Sequence, residues 1–210
     1  MKSLYIRVHP THPQKRLVQQ AADILARDGV LVCPTDASYS LICRVGSKSA
    51  EDRIRAIRHV ERSHYFTLLF HDLALAAQYA KISNSAFRLL RMLTPGPYTF
   101  ILAATRETPR RLQDPKRRMV GMRIPDHPFL RELLAEVGEP LLGSTLMNDE
   151  LEMPYAEPED MARAVGHAVD AVVDAGAIGI EMTTVLDLAA DAPVLVREGK
   201  GDISGIAELG

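Results

Sequence analysis

The chain has 210 residues, of which 47% are hydrophobic and 25% charged, with a formal net charge of −2 and a pI near 6.4. These values are typical of a soluble globular protein, and we expect a single domain over residues 1–210. They exclude a generally basic surface, so any contact with nucleic acid must be local. We find no signal peptide and no apolar run long enough to span a membrane, and we expect a cytoplasmic protein.

The chain alternates strand-like and helix-like segments, with several strands following one another directly. Strands are predicted at 4–8, 30–33, 39–45, 66–70, 98–104, 119–124, 140–146, 169–176, 183–188 and 193–198. Helices are predicted at 14–27, 49–60, 72–80, 83–93, 127–138 and 157–168, with N-caps at Ser49, Asp72 and Ser83 and an end at Gly138. This mixture predicts an α/β fold on a twisted, open, mixed sheet. The continuous apolar run at 30–33 predicts a strand that is buried on both faces.

Two cysteines, Cys33 and Cys43, lie in apolar strand-like segments. Two cysteines are too few for a disulfide framework, so we expect buried free thiols, with a cross-strand pair as the alternative. The seven histidines show no metal-ligand spacing with cysteines or carboxylates. We therefore expect no metal site in the protein itself.

Polar side chains gather where the predicted strands end. The segments that share this pattern are "LVCPTD", "LLFHD", "VGMRIPDH", "LLGSTLMN", "GIEMTTV" and "VLVREGKG". Each loop alone is explained by turn chemistry, because Ser, Thr and Asp bind nearby backbone groups. Together they favour a ligand site, since ligands of open α/β sheets bind beyond strand ends. Arginines and hydroxyls at such a site indicate an anionic ligand.

A basic segment occupies residues 105–118. Its cations are Arg106, Arg110, Arg111, Lys116, Arg117 and Arg118, set against only Glu107 and Asp114. The segment is either a solvated loop or a patch that contacts nucleic-acid phosphates. Aromatic residues are only 5% and there is no Trp, which disfavours base stacking and leaves structured or double-stranded RNA as the RNA class.

Several segments resemble, in order, the motifs of the YrdC family of threonylcarbamoyl-AMP synthases. "PTDASYSL" resembles the family's PTDTxYGL, "TPGPYTFIL" its WPGPxTxIL, and "VGMRIPDHPFLRELL" its RxPxHP segment. "MTTVLDL" and "VLVREGKGD" resemble its two late strands. The resemblance spans about residues 14–205, and its wording is most similar to the YciO branch of the family.

The resemblance implies a twisted open α/β sheet that encloses a central cavity. It also implies an activity: the condensation of ATP, L-threonine and bicarbonate to threonylcarbamoyl adenylate, with release of pyrophosphate, for the modification of adenosine in tRNA. Mg²⁺ would accompany the ATP phosphates. Such a reaction depends mainly on positioning and on stabilising charge.

Site residues follow from the resemblance motif by motif. The implied threonine-side residues are Thr35, His71, Arg123 and Thr183. The implied nucleotide-side residues are Arg62, Ser144, Thr145 and Arg197, with Arg58 as a further cation one helical turn from Arg62. We assign no catalytic residue.

Plainer structural roles remain open for four of these positions. Arg123 could be a solvated charge on a strand, and His71 could begin a helix. Arg197 could form a surface ion pair with Glu198, which contributes little. His127, in the RxPxHP segment, most simply begins the helix that follows it.

The chain also departs from the family pattern. The segment "VERSHYFTL" has Val60 where the nucleotide motif has Lys, and Thr67 where it has Pro. Met147 stands where the family has Asn. The loop "PTDASYSL" has Ala37 for the second Thr and Ser40 for Gly. If the Lys and the Asn both bind the transition state in the family, the loss of each interaction would raise the activation free energy by roughly 1.5–3 kcal/mol.

These departures leave two hypotheses. The first is an enzyme of the threonylcarbamoyl-AMP synthase type. The second is a protein that binds a nucleotide and double-stranded RNA in the same cavity and basic segment, without efficient turnover.

Overall fold

The computed structural model describes residues 3–61, 64–190 and 192–204. Its helices are α1 (Lys15–Ala26), α2 (Lys48–Ile57), α3 (Leu73–Tyr79), α4 (Asn84–Leu93), α5 (Pro128–Val137) and α6 (Pro158–Val165), with a 3₁₀ turn at Arg110–Leu112. Its strands are β1 (Leu4–Arg7), β2 (Leu31–Cys33), β3 (Ser40–Arg44), β4 (Thr67–Leu69), β5 (Ala80–Lys81), β6 (Tyr98–Ala104), β7 (Met119–Arg123), β8 (Leu141–Thr145), β9 (Met147–Asn148), β10 (Met153–Pro154), β11 (Ala171–Asp174), β12 (Thr184–Asp187) and β13 (Val194–Arg197). The predicted strands and helices are all present, with ends shifted by a few residues.

Within the described residues, eleven strands form one mixed sheet in the order β1-β11-β2-β3-β8-β4-β7-β6-β12-β13, with β5 pairing with β6. The pairs β2–β3, β3–β8 and β4–β8 are antiparallel, whereas β4–β7 and β6–β12 are parallel. The predicted mixed α/β sheet is therefore confirmed. A separate antiparallel pair, β9–β10, was not predicted.

Apolar side chains cover both faces of the sheet. Successive side chains of a strand point to opposite faces, so Leu31 and Cys33 join one apolar cluster with α1 and α5, while Val32 joins the other cluster with α2, α3, α4 and α6. All three are fully buried, which confirms the prediction for the run at 30–33. Cys33 and Cys43 are buried free thiols in different clusters, and this excludes a disulfide between them.

Helix ends follow local chemistry. Asp72 and Ser83 accept hydrogen bonds from Leu75 N and Ala86 N as the predicted N-caps. Gly138 ends α5 in the left-handed conformation, with φ of 68°, as predicted. The Ser49 prediction is wrong by two residues, because the side chain of Ser47 accepts from Ala50 N and caps α2.

Candidate functional site

A cavity of about 220 Å³ lies against the middle of the sheet. Of the nine residues predicted on the threonine and nucleotide sides, six line this cavity: Arg58, Arg123, Ser144, Thr145, Thr183 and Arg197. Arg62 lies outside the described residues. Thr35 and His71 are not among the described residues that line this cavity, although Thr35 contacts Arg123 directly.

The strand register brings distant parts of the sequence together around the cavity. Ser40 of β3 lies opposite Thr145 of β8. On β4, Leu69 lies opposite Arg123 of β7. Val185 of β12 pairs with both Thr99 of β6 and Arg197 of β13. One face of neighbouring strands thus collects hydroxyl and guanidinium groups from segments that are far apart in sequence.

On one side of the cavity, Arg123 is buried and ion-paired. It is 6% exposed, so the alternative that it is a solvated surface charge is wrong. Its Nη2 donates to Thr35 Oγ1 at 3.1 Å and to the Asp36 carboxylate. Burial lowers the pKa of Arg123, and Asp36 opposes that effect. Thr35 Oγ1 also donates to Ser38 O at 2.7 Å, which fixes the turn that carries Asp36.

Two histidines lie at the same end of the sheet. His127 is the N-cap residue of α5 and is buried, so its structural role at the start of that helix is confirmed. Burial lowers the pKa of His127 to about 4, against the opposing charges of Asp36 and Asp126. His71 follows β4, and its Nε2 lies 2.9 Å from Asp72 Oδ2, beside the start of α3.

Four buried polar side-chain atoms in the described part of the chain have no hydrogen-bond partner: Asp36 Oδ2, His71 Nδ1, Arg123 Nε and His127 Nδ1. All four belong to segments where strands β2, β4 and β7 end. Buried polar atoms are normally paired, because leaving one unpaired costs about 1–3 kcal/mol. Their concentration in one place therefore indicates a polar ligand or water there.

On the other side of the cavity, Arg58 and Arg197 have hydroxyl and carbonyl partners. Arg58 Nε donates to Ser144 Oγ at 3.4 Å, and Arg197 donates to Thr183 O at 2.9 Å. Burial lowers the pKa of both guanidinium groups. Among the described residues that line the cavity, none is an Asp or a Glu. This side therefore presents positive charge with no nearby lining carboxylate to neutralise it.

The alternative role of Arg197, an ion pair with Glu198, is not among the ion pairs of residues 3–61, 64–190 and 192–204. Arg197 instead turns back to the β12 side, where its Nη2 also donates to Thr183 Oγ1 at 3.2 Å. Thr183 Oγ1 lies 2.9 Å from Thr99 Oγ1. The guanidinium group is thus oriented by backbone and hydroxyl oxygens and stays free of a carboxylate.

The sequence interpretation missed several lining residues. They are Ser40 as a lining hydroxyl, together with His64, Tyr65, Thr67, Leu69, Thr99, Gly143, Met182 and Val185. Thr67 and Thr99 lie on apolar strands, where an inward-facing hydroxyl is a usable signal. Burial, followed by the nearby charge of Arg58, lowers the pKa of His64, but nothing in its local sequence indicates this site.

Of the five substituted family positions, Ser40 and Thr67 line the cavity, whereas the positions of the missing Lys and Asn do not. Neither Val60 nor Met147 is among the described residues that line it. Val60 follows α2, and its backbone N donates to Arg55 O at 3.1 Å. Met147 lies in β9, opposite Pro154. Arg58, two residues before Val60, supplies a cation to the cavity from this segment.

In the basic segment, two of the six cations are ion-paired. Arg111 makes a bidentate contact with buried Glu51, at 2.7 and 2.9 Å, and Arg117 lies 2.8 Å from Asp187. For the other four, the described residues include no ion-pair partner: Arg106, Arg110, Lys116 and Arg118. The segment lies near the cavity, because Tyr65 lines the cavity and is close enough to Asp114 for each group to shift the pKa of the other.

The same described ranges offer no ready-made metal centre. No cluster of three or more His, Cys, Asp or Glu side chains suitable for a metal ion occurs in them. None of their helices has the length and hydropathy that a membrane crossing requires.

Comparison with known proteins identifies a matching family and a similar solved structure. The Sua5/YciO/YrdC family model, described as "Telomere recombination", matches residues 23–199. Escherichia coli YciO, an uncharacterized protein, is 43% identical over 96% of this chain and 98% of its own length. Its crystal structure superimposes with a TM-score of 0.92 and covers 97% of this chain and 99% of that one.

Two more distant relatives have informative names. A threonylcarbamoyl-AMP synthase of Halorhodospira halophila is 27% identical over 80% of this chain and 87% of its own length. A crystal structure of P. abyssi Sua5 complexed with L-threonine has a TM-score of 0.88 at 21% identity, and covers 99% of this chain and 61% of that one. At 21% identity, the similarity to P. abyssi Sua5 establishes only a shared fold.

Proposed function

The chain belongs to the Sua5/YciO/YrdC family, and from that premise we propose that it is a threonylcarbamoyl-AMP synthase-like enzyme. It condenses ATP, L-threonine and bicarbonate to threonylcarbamoyl adenylate. The threonine nitrogen bonds to the bicarbonate carbon with loss of water. A carboxylate oxygen of the resulting carbamate then bonds to the α-phosphorus of ATP, and pyrophosphate leaves.

The observation that carries this proposal is the charge distribution around the cavity. Three arginines, Arg58, Arg123 and Arg197, line it with the hydroxyls of Ser144, Thr145 and Thr183, and no carboxylate is among the described lining residues. Guanidinium groups with hydroxyl donors match the oxygens of phosphates and carboxylates. The reaction develops negative charge on such oxygens, and fixed cations stabilise it.

The two sides of the cavity suit different parts of the reaction. Arg58 and Arg197 take part in no described ion pair, and only the longer-range charge of Asp149 acts on Arg58, so both suit the highly charged triphosphate. Arg123, already paired with Asp36, suits the smaller charge of an amino acid. The complex of P. abyssi Sua5 with L-threonine supports an amino-acid ligand for this fold. A volume of about 220 Å³ is small for a nucleotide, so part of the ATP would extend out of the cavity.

Mg²⁺ belongs to this proposal as the counter-ion of the ATP substrate. Mg²⁺ usually keeps several waters and binds through substrate phosphates and one or two carboxylates. The described lining offers hydroxyls but no carboxylate, so the ATP phosphates and water would hold the ion here. The protein's part is to bind and orient the phosphate oxygens around it.

The decisive experiment is pyrophosphate release by the purified protein with ATP, Mg²⁺, bicarbonate and L-threonine. We expect threonine-dependent release that is lowered at least about tenfold in Arg58→Ala, since a hydrogen bond to a charged group contributes about 1.5–3 kcal/mol. The matched control is Arg27→Ala, because Arg27 is an exposed arginine at the end of α1. No threonine-dependent release at high protein concentration would contradict the enzyme.

A second candidate is binding of a nucleotide and double-stranded RNA without efficient turnover. The observations that favour it are Val60 and Met147 at the substituted positions, and the four cations of the basic segment that lack a described ion-pair partner. Those cations belong to a segment near the cavity, since Asp114 of that segment and the lining residue Tyr65 shift each other's pKa. Backbone phosphate contacts of this kind require no base stacking.

RNA binding is tested by the salt dependence of affinity for a short RNA duplex. Arg106→Ala with Arg110→Ala should weaken binding and reduce the salt slope by up to about two, one for each phosphate that the variant no longer binds. Arg117→Ala is the control, because that side chain is already paired with Asp187. Equal affinities in all three proteins would contradict this candidate.

A further inference from the structure

Strand β13 is an edge strand with three successive exposed apolar side chains. It lies at one end of the large sheet and, within the described residues, pairs only with β12. Val194, Leu195 and Val196 are 55%, 45% and 55% exposed. Proteins usually protect an edge strand with charged side chains or a covering segment, because its free N–H and C=O groups can pair with another strand. Over these three residues β13 has neither protection, so it is open to strand pairing.

The opposite edge of the same sheet is protected by charge. That edge is β1, which carries Arg7. Arg7 forms ion pairs with Glu159 and Asp174, and its Cζ lies 5.8 Å from the centre of the Tyr5 ring. A charged, solvated side chain of this kind disfavours pairing with another chain. Of the two edges, β13 is therefore the one that favours association.

An apolar groove adjoins the start of β13. It has a volume of about 380 Å³ and lies between α4 and the segment that leads from β12 to β13. Its apolar lining includes Leu89, Met92 and Pro193, and Arg88 is the charged residue among the described lining residues. Arg88 is exposed and belongs to no ion pair in the described part of the chain. The groove thus offers apolar surface beside an unbalanced positive charge.

The register of β13 places Leu195 and the groove on the same side of the sheet. Leu195 lies opposite Leu186, whose buried side chain belongs to the same apolar cluster as Leu89 of α4. A register shift between Val185 and Leu186 then places Arg197 opposite Val185, and both of these residues line the cavity. The exposed Leu195 therefore faces the α4 side, and the cavity lies on the other side of the strand.

The sequence of β13 is complementary to itself in the antiparallel direction. An antiparallel pairing of two copies about Leu195 places Val194 of each copy opposite Val196 of the other. Leu195 then lies opposite the same residue of the second copy. Cross-strand pairs of β-branched and other apolar side chains stabilise a sheet, and no like charges face each other over these three residues.

The same register also makes the charges at the two ends of β13 complementary. Glu198 directly follows the strand, is exposed, and has no ion-pair partner among residues 3–61, 64–190 and 192–204. In the antiparallel pairing, Glu198 of the second copy lies at the start of β13. Pro193 and Arg88 line the groove at that place. Each copy thus brings an unpaired carboxylate to the unpaired guanidinium of the other.

We propose that β13 is the interface of a symmetric dimer, in which a second copy of this chain pairs antiparallel with β13 and Glu198 of each copy binds Arg88 of the other. A two-fold symmetric interface needs one surface that fits itself. An apolar strand with a carboxylate at one end and a guanidinium at the other meets that need. Neither the interface nor its test depends on the proposed reaction.

The test is sedimentation velocity of the purified chain at concentrations up to about 100 µM, which populate a dimer with a micromolar Kd. We expect the wild type to dimerise. Leu195→Lys should be monomeric over the same range, because symmetry places the two lysines directly opposite each other. Leu151→Lys is the matched control, because Leu151 is 64% exposed in the turn between β9 and β10 and should leave the dimer unchanged.

Charge reversal tests the contact between Glu198 and Arg88. Glu198→Arg should raise the Kd of the dimer about tenfold, because a symmetric dimer contains this contact twice. The double variant Arg88→Glu/Glu198→Arg should restore the wild-type Kd. Circular dichroism checks that each variant is folded.

A wild type that stays monomeric at about 100 µM would overturn the proposal, as would a folded Leu195→Lys that still dimerises. A double variant that associates no more tightly than Glu198→Arg would also overturn it. If Leu195→Lys does not fold, the charge variants decide, because Arg88 and Glu198 are both exposed and their exchange leaves the core unchanged.

Discussion

The cavity holds its arginines in two different electrostatic settings. Arg123 is buried and ion-paired with Asp36, whereas Arg58 and Arg197 are only half-buried and bind hydroxyl or carbonyl oxygens. The first arginine has its charge balanced by the protein itself. The other two depend on hydroxyl dipoles and solvent until an anion arrives. The difference predicts that removing Arg123 mainly lowers stability, whereas removing Arg58 or Arg197 mainly weakens the proposed binding of an anion.

Arg123→Ala is expected to have the largest effect. It would leave the buried carboxylate of Asp36 without its cation, and breaking a buried pair in this way costs about 3–5 kcal/mol. Denaturant unfolding followed by circular dichroism measures this loss. The double variant Asp36→Ala/Arg123→Ala should recover part of it, because no unpaired buried charge remains.

A fall of less than about 1 kcal/mol in the free energy of unfolding of Arg123→Ala is the scale of an exposed ion pair. That result would contradict the contrast between buried, paired Arg123 and the half-buried Arg58 and Arg197. The unfolding experiment thus tests the contrast without any ligand.

Acid should lower the free energy of unfolding through protonation of His127, which lies near Asp36, the partner of Arg123. The pKa of this buried imidazole is about 4, below the value near 6.5 expected for the unfolded chain. Between these pH values the unfolded state binds a proton that the native state does not. Stability is therefore full above about pH 6.5 and falls as the pH drops toward 4, by on the order of 3 kcal/mol.

The measurement is the free energy of unfolding at a series of pH values from 7 to 4. His127→Asn should remove this part of the pH dependence, and the exposed His167→Asn should leave it in place. A wild-type curve that is flat over this range, or one that His127→Asn does not change, would contradict the assignment to His127.

Much of the fold and part of the site follow from local sequence, and the rest depends on contacts between distant residues. The apolar periodicity locates the strands and helices, and Asp72 and Ser83 act as caps because capping needs only neighbouring residues. Ser47 replaces the predicted Ser49 because two serines at this helix start offer alternative caps. The resemblance to family motifs places Arg123 and Arg197 at the cavity.

The pairing of Asp36 with Arg123 could not be predicted in this way. The two residues are 87 positions apart in sequence, and only the assembled strands bring their side chains together. The same is true of Arg111 and buried Glu51, which are 60 positions apart. Because Glu51 binds Arg111, this cation of the basic segment is not free to contact RNA. Charge patterns in sequence count the cations, but they do not show which cations a distant carboxylate already holds.

Arg58→Ala tests the same contrast at a half-buried arginine, where binding and not stability should change. Arg58 takes part in no described ion pair, and only the longer-range charge of Asp149 acts on it, so we expect stability to fall by less than about 1 kcal/mol. The affinity for ATP should nevertheless fall by roughly 10- to 150-fold, the equivalent of a charged hydrogen bond. Unfolding and ATP titration on the same preparation separate the two effects, and a variant that unfolds easily while binding ATP normally would reverse the assignment.

Val60→Lys should have the smallest effect, and it tests whether the family's missing lysine matters here. Residue 60 lies outside the described cavity lining, and Arg58 already supplies a cation from the same segment. An added lysine would meet the like charge of Arg58 and act at a partly exposed position, where charges contribute little. We therefore expect ATP affinity and pyrophosphate release to change by less than about threefold. A tenfold gain would mean that Arg58 does not replace the missing charge, and that the Arg58 side of the cavity is incomplete in this chain.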